Sequence, residues 1–151
     1  MKIILSGLVM LGLSAASILL AAGDPPQAQP AAEPEHILVQ HILISFAGKL
    51  PGRNVTRTAE EAKKLAYEVL ARAKKGEAFD ALVKQYTEDA YPGKYGMANL
   101  NVAPADGESG RNRMVAAFGD VGFKLKVGEI GIADFDAKSS PYGYHIIKRL
   151  N

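Results

Sequence analysis

All three histidines of this 151-residue chain belong to two mainly apolar runs, and His41 and His145 are the two that lie inside them. His41 lies within residues 36–46 (HILVQHILISF), and His145 lies near the start of residues 144–150 (YHIIKRL). An imidazole donates and accepts hydrogen bonds and exchanges a proton near neutral pH, so two imidazoles in contact could support acid–base or electrostatic catalysis. A lone histidine on an apolar strand face is also an ordinary core residue, and the residues by themselves leave both interpretations open.

Strand alternation separates the histidines of residues 36–46. In a β-strand, alternate residues share a face, so Val39, His41 and Leu43 point one way and Ile42 the other. His36 is five residues from His41 and is therefore predicted to lie on the opposite face, at the surface of the domain. It cannot join His41 as a metal ligand from the same strand.

Composition excludes several classes of function. The chain has no cysteine, which removes disulfides, thiolate catalysis and cysteine-based metal sites, and three histidines without a CxxC motif argue against a metal enzyme. With 18 basic and 16 acidic residues, the net charge of +2 gives no electrostatic argument for binding nucleic acid. We therefore predict no metal and no nucleic-acid partner.

The first 34 residues are predicted to lie outside the folded domain. Residues 1–23 have one lysine before a long apolar run that ends in small residues, which is typical of a signal peptide. Residues 3–22 are also long enough to cross a bilayer, so an uncleaved N-terminal anchor is the competing interpretation. Residues 24–34 (DPPQAQPAAEP) are a Pro/Ala/Gln-rich linker, and residues 35–151 are predicted to form the domain. Either interpretation predicts an exported, periplasmic or extracytoplasmic protein that contacts the membrane only if residues 3–22 are retained.

The remaining pattern predicts an α+β domain. Thr58 and Glu61 form a capping-box sequence, and the apolar residues that follow recur at helical spacing. The predicted elements are a strand at 36–46, helices at 58–75 and 78–87, mainly loop at 93–112, a short helix at 113–118, a turn at 121–125, and strands at 130–135 and 144–150. The last two strands are predicted to pair as a hairpin. We expect a small antiparallel sheet of about four strands with helices packed around it.

Several segments together resemble one family, the parvulin-type peptidyl-prolyl cis/trans isomerases. The matching segments, in the family's order, are VQHILISF (39–46), residues 57–89, FKLKVGEIG (123–131) and YGYHIIKRL (142–150). The resemblance covers about two-thirds of the predicted domain. It implies a parvulin-like fold, isomerase activity on X-Pro bonds of polypeptides, and no cofactor.

The resemblance also implies a set of site residues. It assigns catalytic positions to His41, Asp89, His145 and Ser140, with Ser140 hydrogen-bonded to a histidine. It assigns proline-binding positions to Met114 and Phe118, four residues apart on the short helix, and to Tyr142 at the rim. The family pattern also has a pocket leucine, for which Met97 and Leu100 are both candidates.

Residues 94–100 (KYGMANL) depart from the family's Gly-Gly-Asp-Leu-Gly-like stretch. This departure favours the alternative function, a non-catalytic chaperone or peptide-binding module with the parvulin fold. Lys49, Arg53 and Arg57 could select acidic or phosphorylated residues before proline, but their wide spacing favours an ordinary solvated loop. The main prediction is an isomerase that acts on exported, unfolded or loosely folded polypeptides, which it holds by the proline while weakening the amide resonance.

Overall fold

The computed structural model describes residues 32–151 and confirms the predicted α+β class. The elements in chain order are β1 (His36–Ile44), α1 (Ala59–Lys74), α2 (Phe79–Tyr86), β2 (Lys94–Ala98), β3 (Glu108–Gly110), a 3-10 turn (Arg111–Arg113), α3 (Ala116–Lys124), β4 (Ile130–Ala133) and β5 (Tyr144–Arg149). The helices of residues 32–151 all fall short of the length and apolar character that a bilayer-spanning segment needs.

The strands form one five-stranded sheet in the order β3-β2-β1-β5-β4. Neighbouring strands are antiparallel except β2 and β3, which are parallel. The sheet therefore has one strand more than expected and is mixed. The predicted hairpin of β4 and β5 is present, and β5 also pairs with β1, where it places His145 opposite Leu43.

The two faces of the sheet are covered by different helices. Ile42 and Ile44 of β1 belong to one apolar cluster with residues of α1 and α2. On the other face, Val39 belongs to a second cluster with Phe118 and Phe123 of α3. The sheet is therefore the middle layer of the domain, with α1 and α2 on one side and α3 on the other.

α1 begins where its capping box predicts. The Glu61 backbone N–H donates to Thr58 Oγ1 at 3.2 Å, and the Thr58 backbone N–H donates to Glu61 Oε2 at 2.7 Å. These two bonds satisfy backbone donors that the first helical turn otherwise leaves free. The buried residues of α1 form the predicted apolar stripe: Ala62, Ala66, Val69, Leu70 and Ala73.

The interpretation of residues 93–112 as mainly loop is wrong, because both β2 and β3 lie within it. β2 is short and contains Gly96, so its local strand propensity is weak, and it is stabilised by pairing with β1. The chain enters β2 through Gly93, whose carbonyl oxygen accepts the His41 backbone N–H at 2.9 Å. Gly93 has a φ of +64°, and a Cβ there would lie 2.7 Å from the His41 carbonyl oxygen, so only glycine permits this close approach.

The predicted helix at 113–118 and turn at 121–125 are replaced by a 3-10 turn and a single helix, α3. Gly119 and Gly122 lower the local helix propensity and so obscured the helix in the sequence. A Cβ at Gly122 would lie 3.2 Å from Met97 Cε and 3.3 Å from Ile37 Cδ1. Glycine at this position therefore lets α3 pack close to the sheet.

The C-terminal ends of three strands differ only slightly from the predicted positions. β1, β4 and β5 each end one or two residues earlier than predicted. The predicted signal peptide or anchor at 1–23 and most of the linker lie outside the described residues, so the domain boundaries stay a prediction. Within the described part of the linker, Glu33 pairs with Arg111 at 2.5 Å.

Candidate active site

An open cavity of about 280 Å³ lies on the α3 side of the sheet. Its volume is close to the lower end of the roughly 300–1,000 Å³ typical of ligand pockets, which suits a small ring. Most of the side chains around it are apolar or aromatic, with one carboxylate and two imidazoles among them. The lining residues are His41, Leu43, Leu50, Asp89, Tyr95, Met114, Val115, Phe118, Tyr142 and His145.

The two histidines of the central strands meet at this cavity. His41 Nδ1 and His145 Nδ1 are 3.2 Å apart, the two rings are nearly parallel, and both side chains are buried. The sheet register causes this contact, because His145 lies opposite Leu43 and is therefore diagonal to His41 on the same face. The pairing of β1 with β5 thus brings together two residues that are 104 positions apart.

Asp89 reaches the histidines from the segment after α2. Leu43 fixes this segment, since its N–H donates to Thr87 Oγ1 at 3.1 Å and its carbonyl oxygen accepts the Glu88 N–H at 2.9 Å. Asp89 Oδ2 lies 2.9 Å from His41 Nε2. The hydrogen bond with His41 holds the pKa of Asp89 well below its ordinary value despite partial burial, so the carboxylate is ionised at neutral pH.

The hydrogen-bond partners determine where the protons lie. Burial, with a smaller effect of the His41 charge, lowers the pKa of His145 to about 3, so this imidazole is neutral. An ionised carboxylate can only accept hydrogen bonds, so His41 Nε2 carries a hydrogen and donates the hydrogen bond to Asp89. The contact between His41 Nδ1 and His145 Nδ1 is a further hydrogen bond, in which one imidazole donates and the other accepts. His145 Nε2 is buried and has no hydrogen-bond partner among the described residues.

Phe118 and Met114 both line the cavity, as the resemblance implied, but they are not on one helix. Phe118 is buried on α3, with its ring centroid 5.1 Å from that of His41 and 5.5 Å from that of His145. Met114 precedes α3 in extended backbone after the 3-10 turn. The extended backbone at Met114 interrupts the expected helix, yet both side chains reach the same space.

Tyr142 lies at the rim, where it lines the cavity and is 44% exposed. Ser140 is fully buried, and its hydroxyl donates to the Gly143 carbonyl oxygen at 2.9 Å. The hydrogen bond that we expected between Ser140 and a histidine is therefore not formed. Ser140 instead stabilises the turn that leads into β5, and through that turn it supports the position of His145.

Met97 is not a cavity residue, which corrects its predicted role in substrate binding. It pairs with Ile37, far along β1 from His41, and is completely buried in the cluster between the sheet and α3. Leu100, the other candidate for the pocket leucine, is 56% exposed and lies beside a different cavity. Neither residue contributes to the space beside the histidines.

The sequence interpretation missed Tyr95, which lies opposite Val39 and so shares the face of His41. Its hydroxyl donates to Asp89 Oδ2 at 2.6 Å. Burial and this hydrogen bond raise the pKa of Tyr95 to about 12, so the phenol stays protonated. The sequence has no clear local signal for this position, because residues 94–98 (KYGMA) form a strand through their pairing with β1. Leu50 and Val115, also missed, come from irregular segments that carry no such signal either.

The other polar candidates lie away from the cavity. His36 is on the surface, 2.8 Å from Glu108. Arg57 pairs with Glu88 at 2.5 Å, and the Lys49 ammonium lies 4.9 Å from the centre of the Phe135 ring. None of the described lysines or arginines lines the cavity. Within residues 32–151, no three His, Cys, Asp or Glu side chains converge as a group that could hold a metal ion.

Known proteins match both the sequence and the fold. A family model described as the PPIC-type PPIASE domain matches residues 27–151. The foldase protein PrsA of Bacillus subtilis is 39% identical over 87 residues, which is 58% of this chain but 26% of that protein. The putative peptidyl-prolyl cis-trans isomerase dodo of Drosophila melanogaster is 37% identical over 116 residues, 76% of this chain and 62% of that protein.

Among solved structures, peptidyl-prolyl isomerase ESS1 from Candida albicans has the same fold. It superposes with a TM-score of 0.56 at 20% identity, over 78% of this chain and 63% of that chain. The chain spans only about a quarter of the length of the PrsA foldase that it matches.

Proposed function

This chain belongs to the family of PPIC-type peptidyl-prolyl isomerase domains, the parvulins, and from that premise we propose that it accelerates cis/trans rotation about X-Pro bonds in polypeptides. One observation carries the proposal. An ionised carboxylate, Asp89, stands at the edge of an apolar cavity whose size suits a proline ring.

The chemistry of the X-Pro bond explains why a carboxylate is useful. Rotation crosses a barrier of roughly 18–20 kcal/mol because amide resonance keeps the bond planar. That resonance places partial negative charge on the carbonyl oxygen, and a fixed negative charge facing the carbonyl opposes it. The twisted transition state has lost this resonance, so Asp89 favours it over both planar forms.

The apolar side chains hold the ring and exclude water. Phe118 offers a flat surface for the pyrrolidine, and Met114 has a flexible thioether that adapts to its shape. Water would stabilise the planar amide, which is the more polar form, so its exclusion strengthens the effect of the carboxylate. Tyr142 and Leu50 close the sides of the space.

The histidines act through Asp89. His41 donates to the carboxylate, and His145 fixes the tautomer of His41 through the contact between their Nδ1 atoms. No nucleophile is required, since rotation breaks no covalent bond. Ser140 has an indirect role in this scheme, because it holds the turn before β5.

The test is exchange NMR on an Ala-Pro peptide with the full chain. We expect accelerated exchange, and we expect Asp89→Ala to lower kcat about a hundredfold with little change in KM, as for the loss of one preorganised electrostatic group. Asp134→Ala is the matched control, because Asp134 also accepts a tyrosine hydroxyl but lies outside the cavity. Unchanged exchange at high enzyme excess would contradict the proposal.

A non-catalytic module that holds extended apolar segments is the second candidate. The observation that favours it is the unusual 94–100 stretch, which puts Tyr95 into the cavity. The same titration separates the two functions. Peptide shifts that saturate without faster exchange would support the binding module, and saturating binding with faster exchange would support the isomerase.

The proposal extends to export and to clients. The signal-like pattern of residues 1–23 and the foldase name of a relative support action on exported, unfolded or loosely folded polypeptides. N-terminal sequencing after cell fractionation tests this. We expect a mature chain that begins after Ala22 or Gly23. An intact Met1 in the membrane fraction would support the retained anchor, and an intact Met1 in the cytoplasm would contradict export.

A further inference from the structure

Tyr95 contacts the proposed catalytic carboxylate from the strand next to that of His41. Its hydroxyl is 2.6 Å from Asp89 Oδ2, and its ring meets the His41 ring edge-on with centroids 5.3 Å apart. Tyr95 also lines the cavity. Asp89 Oδ2 therefore receives two hydrogen bonds, one from His41 of β1 and one from Tyr95 of β2.

The two hydrogen bonds leave the other carboxylate oxygen free of side-chain donors. Among the described residues, no side chain donates to Asp89 Oδ1, and no lysine or arginine pairs with Asp89. A carboxylate held at one oxygen by two donors from different strands has lost its rotational freedom. Asp89 borders the cavity, so the orientation of the carboxylate decides which group its second oxygen faces.

We propose that Tyr95 is a positioning residue, which orients Asp89 so that Oδ1 faces the carbonyl of the X-Pro amide. This inference rests on the proposed isomerase function and adds to it a residue outside the parvulin resemblance. Tyr95 does not exchange a proton during the reaction. It donates one hydrogen bond throughout, and its own ring is held by edge-on contacts with the His41 and Phe118 rings.

The protonation states of Asp89 and Tyr95 agree with Tyr95 acting as a permanent hydrogen-bond donor. The groups that face Asp89 are His41, Tyr95 and the backbone N–H of Ala90, and all of them favour the ionised carboxylate. The phenol remains protonated because burial and the nearby carboxylate both raise the pKa of Tyr95, to about 12. Removing the hydroxyl therefore removes a donor without altering the net charge of the site.

The first test is Tyr95→Phe in the full chain, which keeps the ring and deletes the hydroxyl. By exchange NMR over a peptide concentration series, we expect kcat to fall about tenfold with KM unchanged, the scale of one lost hydrogen bond to a charged group. Tyr67→Phe is the matched control, since it deletes a phenol–carboxylate bond of 2.9 Å to Asp134 outside the cavity. It should leave both constants unchanged.

A spectroscopic readout separates orientation from a general loss of structure. We expect the Asp89 carboxyl ¹³C resonance in Tyr95→Phe to titrate at higher pH than in the wild type, because one stabilising donor is gone. We expect the urea unfolding midpoints of the two tyrosine variants to be alike. An unchanged Asp89 titration would overturn the inference.

A double-mutant cycle tests whether Tyr95 acts through Asp89. In the Asp89→Ala background, Tyr95→Phe should cause no further loss of kcat. A further tenfold loss would mean that Tyr95 acts on the substrate directly, which overturns the inference and leaves the isomerase function standing. A wild-type chain without any acceleration would overturn the proposed function and this inference together.

Discussion

Ile42 and Leu43 are neighbours in β1, both are buried, and they face opposite sides of the sheet. Ile42 packs within an apolar cluster that α1 and α2 complete. Leu43 borders an open cavity beside two imidazoles and a carboxylate. Burial therefore does not distinguish a core residue from a site residue in this strand. The distinction is whether neighbouring side chains fill the space.

The same contrast holds for β5. Ile146 faces α1 and α2 and is fully buried in their cluster, while its neighbour His145 faces the cavity. One pair of strands thus supplies the stability of the domain on one face and the candidate site on the other. This arrangement predicts that substitutions on the two faces have separable effects.

The largest effect is expected from Ile42→Ala. The surrounding helices cannot collapse fully into the space, so the free energy of unfolding should fall by about 3–4 kcal/mol. Urea denaturation measures this loss. The isomerase kcat/KM of the folded variant should stay unchanged. If the variant loses activity at temperatures where it remains folded, the expectation that substitutions on the two faces have separable effects is wrong.

A smaller effect is expected from pH, through the buried imidazole. The pKa of His145 falls from 6.5 to about 3 in the native state, so below pH 6.5 the unfolded chain binds a proton that the native chain does not. Stability is therefore lost as the pH falls, by about 2 kcal/mol between pH 8 and pH 5.

Urea denaturation across this pH range, compared with His145→Gln, measures the contribution of His145. In His145→Gln, the free energy of unfolding should lack the part of its pH dependence that His145 contributes. The lowered pKa of Asp89 acts in the same direction but only below its ordinary 3.8, outside the range. An identical slope in the variant would show that His145 binds a proton as readily in the native state as in the unfolded chain.

A smaller loss of stability than for Ile42→Ala is expected from Leu43→Ala, about 2 kcal/mol, because its side chain already borders open space. Its main effect should be on substrate binding, with KM raised about fivefold, the loss of roughly 1 kcal/mol of apolar contact. Peptide titration by NMR measures this.

Thr58→Ala is the control for Leu43→Ala, since loss of the α1 cap costs about 1 kcal/mol far from the cavity. It should leave KM unchanged. Equal losses of stability in Ile42→Ala and Leu43→Ala would contradict the difference in packing between the two faces of the sheet.

The parts of the fold that were predicted correctly depend on local signals. α1 has its capping box and a helical apolar stripe within one segment, and the alternation of β1 separates Ile42 from His41. The contact of His41 with His145 was only a hypothesis, because strand pairing is a property of distant segments. The register of β1 and β5 decides it.

The incorrect predictions concern features for which the sequence has no clear local signal. β2 is stabilised by its partner strand, so its five residues alone do not predict a strand. The faces and positions of Met97 and Tyr95 in the sheet could therefore not be predicted. Pairing puts Tyr95 near His41 and Met97 near the far end of β1. Ser140 was assigned to a histidine by resemblance, whereas its nearest acceptor is local, in the same turn.

The contact between His41 and His145 has a consequence for a chain that is still being made or has been cut. Synthesis from the N-terminus produces β1, α1, α2 and α3 before β5, so one edge of β1 is unpaired until β5 has been made. Such an edge, with Ile42 and Ile44 beside it, invites association with other chains. A chain that is cleaved between β4 and β5 and loses β5 returns to the same condition. The His41–His145 contact therefore forms only after β5 has been synthesised and has paired with β1.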